Sequence, residues 1–98
     1  MDKDGNKARR KVVGNRLRDI RETLGFATKR DFAEYLGVHE DTYGIWENGR
    51  GDIPIYAIER LRDRHRITAD WILFGDPSGL PHKLAADLLK IRVVNLTQ

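Results

Sequence analysis

Few side chains in this sequence are spaced for bond-making chemistry. Cysteine is absent, so thiolate nucleophiles, disulfides and thiolate metal sites are all excluded. The three histidines, His39, His65 and His82, are scattered along the chain. None has the paired spacing of a metal site, no Ser/His/Asp arrangement stands out, and no nucleotide-binding glycine fingerprint occurs. An enzyme is therefore not expected, nor is a cofactor, a metal or a small-molecule ligand. What the chain does carry is charge, unevenly placed. Residues 1–30 hold ten Lys/Arg against four Asp/Glu, and residues 31–59 hold one arginine, Arg50, against seven carboxylates. The basic block suits phosphate neutralisation, as does the formal net charge of +3. The acidic block sits in the middle of the chain and does not.

The elements that must position these charges follow from apolar spacing and capping residues. Residues 1–11 are polar, contain Gly5 and Asn6, and are expected as a disordered arm. Lys7, Arg9, Arg10 and Lys11 make that arm basic, suited to tracking phosphates or entering a groove. Val13, Leu17, Ile20 and Leu24 share one face of a helix expected over Val12–Leu24, which Gly25 ends. Thr28 is an N-cap type, and Phe32, Ala33 and Leu36 give the next helix its apolar face before Gly37 stops it. Val38 plugs the turn. A further helix is expected from about Glu40 to Glu47, anchored by Trp46 and ended by Asn48-Gly49. Lys29 and Arg30 stand at a helix N-terminus, where cations oppose the macrodipole. A docked anion would reconcile them with the exposed amides there.

The next helix is expected to start near Ile53, with Pro54 in its first turn, Asp52 as cap and Ile55, Ile58 and Leu61 on its inner face. Arg60, Arg62, Arg64 and Arg66 then give a basic C-terminal turn, favourable to the dipole. Thr68 caps a short helix in which Trp71, Ile72, Leu73 and Phe74 are expected to close the core, and Gly75 ends it. After a turn over residues 76–79, Leu80–Val94 is expected as a last helix with a stripe of Leu84, Leu88 and Ile91, widened by Ala85 and Leu89. That stripe must pack back on the domain or meet a second copy. Dimerisation is the preferred expectation.

Ala33, Gly37-Val38 and Trp46-Glu47-Asn48-Gly49-Arg50, taken in register, resemble the helix-turn-helix of the lambda-type repressors, the Cro/CI or XRE-like family. The segment Thr68–Gly75 is also similar to the end of phage CI-type N-terminal domains, and the resemblance covers about Val12–Asp76. It implies an all-α fold: a five-helix lambda-repressor-like DNA-binding domain over residues 12–76. The arm at 1–11 precedes it, and a turn plus additional C-terminal amphipathic helix at 77–98 follows. It also implies that Arg21 pairs with Glu47 and orients the second motif helix.

The implied activity is sequence-specific binding of double-stranded DNA by a transcriptional regulator, a repressor, acting as a homodimer. Carried over by register, His39, Glu40, Asp41, Gly44 and Ile45 would face bases. Arg16, Thr28, Lys29, Arg30, Tyr43, Asn48, Gly49 and Arg50 would contact phosphates, Tyr43 through a hydroxyl reaching outward from a partly buried ring. The family position at His39 is usually Ser or Thr, so His39 or Asp41 must cap the helix here. The base-facing set also lacks Arg, Lys, Asn and Gln, the usual bidentate readers. Glu40 and Asp41 would accept from cytosine N4 and Ile45 would touch a thymine methyl. The alternative expectation is a helix-turn-helix adaptor or antitoxin-like module whose acidic helix binds a protein partner. At 98 residues there is room for one domain. No apolar run is long enough to span a membrane and no secretory h-region opens the chain, so a cytoplasmic, nucleoid-associated protein is expected.

Overall fold

The computed structural model describes residues 3–97, with side chains from Gly5. It is all-helical. Six helices follow in order, α1 Lys3–Thr23, α2 Lys29–Leu36, α3 Glu40–Glu47, α4 Ile55–His65, α5 Ala69–Phe74 and α6 His82–Leu96, and no strand occurs among the described residues.

The helix ends are set by local chemistry. Thr28 Oγ1 accepts from Asp31 N at 3.1 Å, and Thr68 Oγ1 from Trp71 N at 3.0 Å, each satisfying an orphan amide of the first turn. Gly37 and Gly75 close α2 and α5 in the left-handed region, at φ 78° and 72°. α4 differs from expectation. It is capped by Pro54, without a side-chain bond, and Asp52 is turned instead toward Arg10. Its C-terminus needs a left-handed residue and uses Arg66, at φ 61°, where glycine would be unstrained.

The main departure is α1. It begins at Lys3 rather than Val12, so residues 3–11 are helix and not a disordered arm. Long-range contacts at Arg10 and Lys11 anchor the helix where the arm was expected to end. Arg10 Nε donates to Asp52 Oδ1 at 3.0 Å, and the helix lies so close to the loop after α3 that a Cβ on Gly49 would be 2.9 Å from the Lys11 Cα. Further along, a Cβ on Gly14 would stand 2.4 Å from the Glu47 carbonyl oxygen. Glycine at 14 is thus what lets α1 cross the C-terminal end of α3.

The core gathers between α1, α2, α3 and α4, with Leu17, Ile20, Phe32, Leu36, Tyr43 and Leu61 fully buried. Two expected core residues face out: Ile55 is 71% and Phe74 72% exposed. Ala57 replaces Ile55 on the inner face of α4, and Ile72 alone of its segment is fully enclosed. The arginines of α4 do not merely complement its own dipole. Arg60 and Arg64 donate to the carbonyls of Leu36 and Tyr35 and so cap the end of α2.

α6 packs back on α1. Leu88 is buried, Leu84 and Ala85 pack beside it, while Leu89, expected on that stripe, is exposed. A polar clasp fixes the far end: Asn95 Nδ2 donates to the buried Asp19 carboxylate at 2.6 Å, and Arg92 stands 3.2 Å from its other oxygen. Burial pushes the Asp19 carboxyl above its ordinary pKa, and Asn95 and Arg92 oppose that shift.

Candidate functional site

The two sides of α3 are chemically distinct. On its inner side Glu47 is buried and receives three groups. Arg21 Nε donates to Oε1 at 2.8 Å, Tyr43 Oη donates to the same oxygen at 2.9 Å, and Lys29 Nζ lies 3.6 Å from Oε2. Arg21 also donates to the carbonyls of Phe26 and Ala27, tying α1, the loop before α2 and α3 together. Burial works against the Arg21 charge, but the bond and attraction of Glu47 outweigh it, and its pKa ends raised. The pair expected from Arg21 and Glu47 is therefore present and enclosed.

The outer side of α3 is open. His39 Nδ1 accepts from Asp41 N at 3.1 Å and caps the helix. A ring nitrogen that accepts leaves the proton on Nε2, so the exposed edge of this ring is a donor. The Asp41 side chain is 92% exposed, and Glu40 is exposed as well. Asp41, Gly44, Ile45 and Asn48 fall at i, i+3, i+4 and i+7 and form one stripe. A Cβ on Gly44 would meet nothing closer than Asn48 Nδ2 at 3.9 Å, so the glycine leaves a notch. Lys29, Glu40, Arg50 and this stripe line an open concavity of about 510 Å³. Lys29 Nζ donates to Asn48 Oδ1 at 2.9 Å, Arg50 is exposed in its lining, and Arg30 is exposed next to Lys29 in the first turn of α2.

A second groove, about 480 Å³, runs beside it between α1 and the start of α2. Lys11, Asn15, Arg18 and Lys29 contribute to its walls. Asn15 and Arg18 were missed as candidates. The available signal was spacing, because Lys7, Lys11, Asn15 and Arg18 repeat at i, i+4, i+8 and i+11 once the first helix is extended toward the N-terminus.

Three expected phosphate contacts do not fit this geometry. Tyr43 is fully buried, its hydroxyl bound to Glu47, and that burial beside a carboxylate raises its pKa far above the ordinary value. Arg16 is half-buried on the other side of α1, where it donates to the Ile72 carbonyl at 3.2 Å; desolvation first, then nearby Arg92, lowers its pKa. Gly49 donates its amide to the Trp46 carbonyl at 3.2 Å beneath the α1 backbone. Of the basic N-terminal residues, Arg10 is paired with Asp52, while Lys7, Arg9 and Lys11 are exposed. Thr28 caps α2 and remains exposed.

Nothing in this surface resembles a metal centre: among the described residues no group of three or more His, Asp and Glu side chains is placed to hold an ion. Among the described residues no helix is long and apolar enough to cross a membrane. Comparisons with protein-family models, with characterised proteins and with solved structures give no match to this chain.

Proposed function

We propose that this protein is a sequence-specific double-stranded DNA-binding regulator of the lambda-repressor-like, Cro/CI type, with α3 as its recognition helix, and that it is a binding protein rather than an enzyme. The observation that carries the proposal is the outer side of α3. It is a rigid helix, held from beneath by the buried Arg21–Glu47–Tyr43 node, whose outward residues have hydrogen-bonding capacity left over. Its margins carry the cations Lys29 and Arg50, and Arg30 is exposed next to Lys29 in the first turn of α2. A helix fits the major groove, where base edges are read, and flanking cations suit the phosphates on either side. Lys7 and Lys11, with Asn15 and Arg18 on the same face of α1, extend the cationic surface along that helix. The site of action would be the prokaryotic nucleoid, and binding over a promoter would repress.

A homodimer suits this role, because two half-sites one DNA turn apart lie about 34–36 Å from each other. The surface for it is not the Leu84–Leu88 stripe, which α1 already covers. Ala86, Leu89, Val93 and Leu96 lie at the 3-4-3 spacing of a coiled-coil seam on the opposite side of α6, and Leu89, Val93 and Leu96 are 65%, 53% and 71% exposed.

Selection of bound fragments from a random duplex library at near-physiological salt tests the proposal. A recovered two-fold symmetric motif supports it. Binding seen only at low salt, without a motif, would reject it. One observation favours a second reading, a protein-binding adaptor: Glu40 and Asp41 put two carboxylates on the very surface that would meet DNA. If Glu40→Gln with Asp41→Asn leaves DNA binding unaltered and abolishes capture of a basic partner, that second reading holds.

A further inference from the structure

We infer that the outer stripe of α3 selects two base pairs of defined identity and spacing: a C·G pair read by Asp41 and, one intervening pair away, a T·A pair read by Ile45 and Asn48. This rests on the DNA-binding role proposed above and specifies what that surface recognises.

The chemistry of the stripe is unusual in its order. Asp41 is an acceptor only, as an ionised carboxylate. The major groove offers two donors, cytosine N4 and adenine N6. Adenine N6 is flanked on both sides by acceptors, its own N7 and the thymine O4, which repel a carboxylate. Cytosine N4 has an acceptor, guanine O6, on one side only. Asp41 therefore favours C·G. Ile45 is 45% exposed and apolar, and the one methyl group in the groove belongs to thymine.

Asn48 identifies the same base independently. Its amide orientation is fixed, because the Lys29 ammonium is a pure donor and must take the oxygen, at 2.9 Å. The NH₂ group is left outward beside the Gly44 notch. A donor next to a methyl-seeking side chain matches thymine, whose O4 acceptor adjoins its methyl. It does not match 5-methylcytosine, which carries a donor in place of O4. Asn48 is thus a base contact rather than the phosphate contact expected from sequence, and Lys29 is the residue that positions it.

The spacing follows from two rises. Four residues separate Asp41 from Ile45, about 6 Å along the helix axis. With α3 docked along the direction of the duplex axis, as this inference requires, two base-pair steps of about 3.4 Å each cover nearly the same distance.

The test begins with duplexes recovered by selection on the intact protein. Each half-site is expected to hold C·G and T·A pairs with one pair between. Replacing that thymine by deoxyuridine removes only the methyl and should weaken wild-type binding roughly fourfold, the worth of one buried carbon. Ile45→Ala should bind the two duplexes equally. Changing C·G to T·A should cost the wild type roughly 5- to 150-fold, the range of one base contact, and Asp41→Asn should flatten that preference while binding unselected DNA more tightly. Both side chains are exposed, so both variants should fold, as circular dichroism can verify. A motif lacking these pairs at this spacing, or discrimination that survives in the matching variant, would overturn the inference while leaving DNA binding intact. Failure to recover any motif would overturn both.

Discussion

The inner and outer sides of α3 use the same residue type in opposite ways. Glu47 is enclosed and accepts from Arg21 and Tyr43, whereas Glu40 and Asp41, about two turns earlier, stand in solvent with most of their capacity unused. The contrast separates carboxylates that hold the helix in place from carboxylates available to a partner. It also shows why the total charge of residues 31–59 is a poor guide to function. Glu47 is neutralised by Arg21, and Asp52 by Arg10, so the seven carboxylates do not act as one repelling surface.

Substitutions on either side of the helix should sharpen this contrast. The largest effect is expected from Glu47→Ala. It strands the Arg21 guanidinium in the core and should lose about 3–5 kcal/mol, the penalty of an unpaired buried charge. In a domain of this size the melting temperature should fall by more than roughly 10 °C. A drop of only a degree or two would mean that the node does not anchor α3. Gly14→Ala comes next. Alanine in a helix interior ordinarily gains about 1 kcal/mol over glycine. Here its methyl would meet the Glu47 carbonyl, so the sign should reverse to a loss of about 1–3 kcal/mol, as in overpacked cores. Urea unfolding measures both.

On the outer side, Asp41→Asn should leave stability within about 0.5 kcal/mol, as surface changes do. It should raise affinity for nonspecific duplex, because a charge facing phosphate is removed. An unchanged affinity would show that Asp41 is not in the DNA-facing surface.

The smallest effect concerns pH. His65 is half-buried against Tyr35, at 2.7 Å, and burial, with Arg64 adding to it, lowers its pKa below the ordinary 6.5. The folded protein therefore holds this ring neutral more firmly than the unfolded chain does. The associated stability is fully present above pH 6.5 and is lost as pH falls through the lowered value. Urea midpoints at neutral and mildly acidic pH should show a decline that His65→Gln reduces.

Short-range features of the fold were legible in the sequence. Thr28, Gly37, Thr68 and Gly75 act within a turn of where they stand, and each ends or begins a helix as its type predicts. The Arg21–Glu47 pair came from a motif rather than from spacing. Features that depend on distant residues were not legible. Polar composition at residues 1–11 pointed to disorder, and the Asp52 carboxylate and the bare Gly49 backbone, which hold Arg10 and Lys11 in the helix, lie some forty residues away in sequence. Gly14 was the overlooked signal, since a glycine within an otherwise helical run marks a close crossing. Tyr43 and Arg16 were assigned outward roles from register, which fixes an angle around a helix but not how deep the neighbouring helices bury it. The outer residues of α3 were placed correctly on an exposed surface. The orientation of the Asn48 amide was not accessible from sequence, because it depends on Lys29 across the turn.

The most direct test of the central claim, that the outer side of α3 meets duplex DNA, is amide chemical-shift mapping of the labelled protein on adding duplex at roughly 150 mM salt, where exposed charges are largely screened. The account predicts that perturbations concentrate on Asp41, Gly44, Ile45, Asn48, Lys29 and Arg50 and leave α5 silent. Shifts confined to Lys7–Lys11, or spread over α6 with α3 unmoved, would contradict it.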